Sequence, residues 1–353
     1  MLAMQSLLRI MQRKFIGCGL LICSTLAFAA ESPSVSISNG QIAAKVYLPD
    51  GSAGFYRSTR FDWSGVIGSL TYKGHDYYGN WFSRVDSAPA FYDFNYDDTG
   101  IVSAPFTAMV GPGEEFNTDR KALGFDEAKP GGTFVKIGVG VLRKPDDSKY
   151  DHSKAYEIVD SGKWSVKHTR DSVTFVQELH DPVSGYGYLY TKIIRLAQGK
   201  PEMTIDHSLK NLGSKPITGT VYDHNFWTLD KVAPGPGLLI RFPFQLKSSR
   251  PIDPNLAEIS GNEFIYKKEL AGKDRVTANL QGFGASADDY DFRVENAKAG
   301  AGVRIRGDHP LTNIALWSIR TVMAVEPYIA MEIAPQSDFT WKYIYDYYTL
   351  GPQ

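Results

Sequence analysis

An all-β fold is what this 353-residue chain predicts, on three observations. Short apolar runs alternate with polar residues along almost all of the sequence, the period-two signature of half-buried strands. No stretch of about twelve residues or more keeps a clean helical period, which is the length an isolated helix needs. The aromatic content is high, with 20 Tyr, 19 Phe and 6 Trp, residues that favour pleated surfaces and polar binding faces.

The chain opens on a different pattern. Arg9, Arg13 and Lys14 precede the apolar run FIGCGLLICSTLAFAA, which ends in small residues before Glu31. That is the layout of a secretory signal, expected over 1–30 with cleavage after Ala29 or Ala30, and it implies a periplasmic or secreted product with no stable membrane insertion after cleavage. Cys18 and Cys23 both lie in this segment, so a processed chain has no disulfide and no thiolate chemistry. Losing the leader's three basic residues moves the formal charge from -1 to -4. Such a balance argues against nucleic acid as a partner.

From residue 31 to 353 a single large β domain is expected. SVSISNGQIAAKVYLP carries two short apolar runs about an Asn-Gly turn, a hairpin signal. FYRSTRFDWSG sets Arg57, Arg60 and Asp62 beside Trp63. The stretch 83–132 is rich in Gly, Pro, Asp and Ala, and reads either as a wall over a site or as a plain surface excursion. TFVKIGVGVL alternates Val135, Ile137, Val139 and Val141 as one strand would. KWSVKHTRDSVTFVQEL reads as a strand pair turning near Arg170-Asp171-Ser172, and YGYLYTKIIRL, PEMTIDHSLKNL and PITGTVYDHNFWTL follow. Seven further strand-like runs reach TWKYIYDYY near the C-terminus. About fifteen to twenty strands exceed one small sandwich and favour a large double-sheet one.

GTVYDHNFWTLD concentrates the candidate chemistry. His224 shares its alternation with Tyr222 and Phe226, while Asp223, Asn225 and Trp227 face the other way. A plain sandwich strand has one polar face; polar groups on both suggest a strand opening into a cleft. His207, on the face of Met203, Ile205 and Leu209, reads as a core residue. His152, His168 and His180 lie in turn-like segments and read as solvent-facing; His75 is flanked by Trp81 and Phe82, which offer a stacking surface. MAVEPYIAMEIAP buries Glu326, and less clearly Glu332, in an apolar run. A buried glutamate rises toward the pKa range of proton exchange unless it is paired, for instance with Arg320. The acidic clusters at 93–98 and 288–291 read as loop surface. No histidine pair has zinc-ligand spacing, a divalent cation such as calcium has no motif behind it, and no nucleophile elbow, P-loop or dinucleotide fingerprint appears.

Together these stretches resemble the galactose mutarotase-like family, which includes aldose 1-epimerases and hexose-6-phosphate epimerases. RSTRFDWSG resembles its arginine-bearing segment, MTIDHSLKNLGSKPI the strand leading into its histidine strand, and VEPYIAMEIAPQSDFTWKYIYDY its closing strands. The resemblance implies a β-supersandwich, a mono- or oligosaccharide ligand and no cofactor. It implies His224 as general acid on the ring oxygen and Glu326 as general base on the anomeric hydroxyl. Arg57 and Arg60, with Asp223 and Asn225, are candidates for hydroxyl or carboxylate contacts, and Trp81, Trp227 and Trp317 for stacking. The family usually carries a further upstream histidine; here the matching stretch is RKALGFDEAKPGG. Either Asp126 stands in for it, or His75 or His152 arrives from a loop. Two other readings of the same scaffold stand beside the epimerase: a polysaccharide lyase, with Tyr222 or Tyr328 as base, and a non-catalytic sugar-binding protein.

Overall fold

The computed structural model describes residues 31–117 and 122–351, so the leader and both cysteines lie outside the described residues. The described residues hold strands and two short 3-10 turns and no α-helix. Two sheets dominate. A ten-stranded sheet runs in the order Lys163–His168, Ser172–Asp181, Tyr186–Leu196, Glu202–Asn211, Asp338–Thr349, Ala301–Gly307, Asp291–Asn296, Leu238–Arg241, Glu263–Tyr266, Ala257–Ser260. A six-stranded sheet runs Lys247–Ser248, Arg275–Gln281, Leu311–Ile319, Val322–Ile333, Ile217–Phe226, Gly111–Asn117. Both are antiparallel throughout, as short connections between successive strands allow.

The alternation in the sequence is the alternation of burial. Glu202–Asn211 buries every second residue, with Met203, Ile205, His207 and Leu209 directed inward. It pairs residue for residue with Asp338–Thr349, where Trp341, Tyr343 and Tyr345 share the buried face. The hairpin at Asn39-Gly40 forms as expected, Gly40 taking φ 89°, and so does the pair turning at 170–172. TFVKIGVGVL departs from the single strand its alternation suggests. It folds back as the hairpin Thr133–Lys136 and Gly140–Arg143. Gly138 supplies the turn at φ 77°, and a Cβ there would lie 2.7 Å from Asp62, so only glycine fits.

Between the two sheets lies a buried ionic cluster. Glu114 accepts from Lys192 and from His207 Nε2, the latter at 2.7 Å, and Lys192 Nζ also lies 3.5 Å from Asp62. Tyr190 and Ser64 donate to Asp62 at 3.0 and 2.6 Å. His207 stacks flat on Trp341, with ring centroids 4.5 Å apart. Burial works to raise the Glu114 carboxyl, but Lys192 and His207 outweigh it and hold it down to about 2. The cluster bolts the edge strand Gly111–Asn117 to the ten-stranded sheet. Lys192→Met removes the cation that two buried carboxylates share and is expected to cost about 3–5 kcal/mol, read as a lowered urea midpoint at pH 7.

Candidate functional site

Register builds the site. Ile217–Phe226 pairs with Val322–Ile333 so that Tyr222 faces Tyr328, and the bridge between Trp227 and Met323 continues the same register. His224 therefore stands opposite Glu326. On either side the rows continue, with Gly113 and Ala315 flanking His224 and Glu326, and Glu115 and Asn313 flanking Tyr222 and Tyr328. Beside the pair, the small Ala315 borders open space, while Met109 packs over Gly113. A Cβ at Gly113 would come 2.9 Å from Met109, so the glycine is required by packing.

The open space is a cavity of about 370 Å³ lined by Arg60, Tyr92, Asp93, Phe106, Thr107, His152, His224, Phe226, Arg250, Arg275, Trp317 and Glu326. An adjoining cavity of about 220 Å³ shares Arg60, His152, Arg250, Trp317 and Glu326 and adds Glu115, Tyr222, Asn313 and Tyr328. Together they are the size of a small-ligand site. Aromatics make the floor: the His224 ring stacks on Phe226 at 3.8 Å and meets Phe61 edge-on at 5.6 Å.

Within it, His224 Nε2 lies 3.2 Å from Glu326 Oε1, and His224 Nδ1 is buried with no partner among the described residues. Burial, aided by the positive Arg60, holds the imidazole well below its usual range, so it is neutral at physiological pH. Burial likewise pushes the Glu326 carboxyl up to about 7, against the pull of Arg60. Neutral imidazole and near-neutral carboxyl titrate as a pair that can carry one exchangeable proton. Beside them Glu115 is held ionised. Burial opposes this, but Lys136 and Arg60 keep its carboxyl far below the usual carboxylate range. Arg60 Nε and Tyr222 both donate to Glu115 Oε2. Tyr222 and Tyr328 stack at 4.2 Å, and the Tyr328 hydroxyl donates to Glu326 Oε2 at 3.4 Å.

Of the residues singled out from the sequence, the fold brings together His224, Glu326, Arg60 and Trp317. Asp223 and Asn225 point through the sheet into the core, where both accept from Tyr345, because their strand alternates faces. Trp227 is buried against Tyr77, and Trp81 lies beneath the floor, stacked on Phe226 with its N–H donated to Met109 O. Arg57 donates to Ser52 O and lines a separate groove. Asp126 is exposed and lines neither cavity, whereas His152, read either as solvent-facing or as arriving from a loop, lines both. Burial and Arg60 lower the His152 imidazole. His75 pairs with Asp230 instead, at 2.8 Å, and Arg320 donates to Gly272 O, not to a glutamate. Asp93, expected on loop surface, enters the wall with a left-handed φ of 75° and accepts from Thr107 at 2.7 Å; strain of this kind gathers at functional sites. The stretch 83–132 thus supplies a wall through Tyr92, Asp93, Phe106 and Thr107. Glu115, Arg250 and Arg275 escaped sequence reading. Only the adjacent carboxylates of GPGEEF, inside a short strand, offered a signal for Glu115. Among the described residues no three His, Cys, Asp or Glu side chains converge as metal ligands.

No family model matches the chain, and no curated protein matches its sequence. Solved structures do match. A putative aldose 1-epimerase from Escherichia coli K12 superposes with a TM-score of 0.50 at 13% identity, over 90% of this chain and 99% of the other. An aldose epimerase homologue from C. elegans gives 0.51 at 12%, over 91% and 100%. A galactose mutarotase-like protein from Clostridium acetobutylicum gives 0.51 at 11%, over 90% and 95%. The fold is galactose mutarotase-like. Near-complete coverage of these chains means that the double-sheet body of the mutarotase-like fold is present from end to end.

Glu326 has a stability consequence whatever its role. Its carboxyl stays protonated in the fold up to about 7 but ionises near 4.5 when unfolded. Between those pH values the folded chain binds more protons, so stability contributed by this group falls as pH rises through the window. Glu326→Gln, a permanent mimic of the neutral acid, is expected to exceed the parent by roughly 1–3 kcal/mol above pH 7 and to match it below pH 4.5. Urea unfolding at pH 4 and pH 8 checks this.

Proposed function

We propose that this chain is an aldose 1-epimerase-like enzyme that opens and recloses the hemiacetal ring of a sugar. The observation that carries the reading is the His224–Glu326 contact of 3.2 Å at the floor of an open cavity. Anomer interconversion moves one proton off the C1 hydroxyl and one onto the ring oxygen, both oxygens bonded to the same carbon. It needs one acid and one base side by side, with no net proton change.

The singly protonated pair meets that need. In its tautomer with the proton on His224, the imidazolium gives its proton to the ring oxygen while the Glu326 carboxylate takes one from the C1 hydroxyl. The C1–ring oxygen bond breaks, the aldehyde rotates, and reclosure returns both protons. Arg60, fixed by Glu115 and Tyr222, and His152 face the same space and suit contacts to sugar hydroxyls. Trp317 offers an apolar wall for a sugar face.

Against a lyase, both candidate tyrosine bases are poorly suited. Burial pushes the Tyr222 and Tyr328 phenols up, and the Tyr222 hydroxyl is already donated to Glu115. Both fit orientation of the carboxylates better than abstraction of a carbon-bound proton.

Proton NMR of single anomers of glucose, galactose and glucuronate tests the proposal. Acceleration of anomeric equilibration by the purified chain is expected, lost by about 10²–10⁴-fold in His224→Ala and in Glu326→Ala. Binding without acceleration would sink the epimerase reading in favour of a sugar-binding protein. The pH profile is expected to be bell-shaped. Its alkaline limb falls through about 7, where the pair loses the proton it must donate. Its acid limb lies below the ordinary histidine range, where a second proton removes the base.

A further inference from the structure

The cavity carries more positive charge than its own carboxylates neutralise. Arg60 is committed to Glu115 and Tyr222, and the buried Lys136 to the same Glu115 at 3.3 Å. Arg275 reaches Asp93 at 3.4 Å, a long contact that Asp93 shares with Thr107. Glu326 adds only part of a negative charge near neutral pH because burial pushes its carboxyl up to about 7. Arg250 remains. It lines both cavities, and its side chain forms no ion pair with a carboxylate among the described residues. In a chain whose formal charge is -1, this local excess is a property of the site, not of the surface at large.

Resting on the epimerase reading, we infer that the site takes an acidic sugar, a hexuronate whose carboxylate is received by Arg250. A guanidinium binds a carboxylate through two parallel N–H···O bonds, and one unpaired guanidinium matches one negative charge. Arg275, on the neighbouring strand Arg275–Gln281, reinforces the field without being free to pair. Arg250 follows Lys247–Ser248, at the sheet edge opposite Gly111–Asn117, with the His224–Glu326 pair on the strands between. The carboxylate is thereby held toward one edge of the sheet while the anomeric end of the ring meets the pair.

The test measures binding apart from turnover. Isothermal titration of the full chain with glucuronate and galacturonate, beside glucose, galactose and glucose 6-phosphate, is expected to show the uronates binding at least about tenfold tighter than their neutral parents. A gap of that size is within the worth of a charge-assisted hydrogen bond. About 0.5 M salt is expected to narrow it. Arg250→Gln is expected to abolish the uronate preference and Arg250→Lys to keep part of it. Because Arg250 is exposed, a melting curve suffices to show that the variants fold. Equal affinities for uronates and neutral sugars would overturn the inference, as would a preference that survives Arg250→Gln. Tightest binding of the phosphate would overturn the carboxylate assignment. Uronate binding through Arg250 with no anomeric acceleration would sustain the acidic ligand while sinking the epimerase reading. Digalacturonate run beside galacturonate separates a free uronic acid from the reducing end of an acidic oligosaccharide as the source of the carboxylate.

Discussion

The antiparallel register between Ile217–Phe226 and Val322–Ile333 is the constraint on which the site depends. Side chains alternate faces with a period of two, so a one-residue slip of either strand would turn its member of the pair into the core, exchanging His224 for Asp223 or Glu326 for Val325. The register is pinned from both faces. Inside, Val221, Val325 and Ile329 pack into the large core, and Asn225 donates to Val325 O at 3.0 Å. Outside, the Tyr222–Tyr328 stack locks one row and the Phe226 stack on Trp81 supports another. The geometry of the His224–Glu326 pair is thus a by-product of strand pairing, held by rigid elements and not by loops.

The edge strand Gly111–Asn117 shows the same alternation used for two purposes. Glu114 and Glu115 are neighbours in sequence and point to opposite faces. One anchors the buried cluster of Lys192, His207 and Asp62; the other anchors Arg60 and Tyr222 at the site. Each carboxylate is matched by cationic and donor partners, Lys192 and His207 for Glu114 and Arg60, Lys136 and Tyr222 for Glu115, the condition under which burying a charge is tolerable. Holding the first fixes the second, since the backbone between them cannot rotate within a paired strand. A purely apolar core would leave this edge strand free to slide. The ionic cluster gives it one position, at some cost in desolvation.

Much of the fold was legible because burial in a double-sheet body writes itself into the sequence with period two. His207 read correctly as core because its alternation partners are apolar, and His224 and Glu326 stood out as titratable groups in apolar runs. What the sequence could not show were contacts between distant segments. His152 sits in DDSKYDHSK, a turn-like stretch that left it either solvent-facing or arriving from a loop, and only the fold puts it in the cavity beside Arg60 and Glu115. Asp93 and Arg250 belong to loops whose composition says surface and whose topology says wall. Conversely Asp223, Asn225 and Trp227 looked functional through proximity to His224, when the same alternation directs Asp223 and Asn225 away from it. TFVKIGVGVL misled for another reason: its glycines are turn residues that happen to fall on alternate positions.

The cavity's electrostatics follow from one choice, which is to bury a histidine and a glutamate against each other while giving the strong cations other partners. Were Arg60 free to pair with Glu326, that carboxyl would be ionised at every physiological pH and useless for exchanging a proton. Glu115 prevents this by occupying Arg60, with Tyr222 completing the arrangement. The consequence is a near-neutral pair at the floor and, above it, one arginine with no internal partner. The first suits proton transfer at a hemiacetal, and the second suits a substrate that brings its own negative charge. The first of these traces back to Glu115, which holds Arg60 off the Glu326 carboxyl.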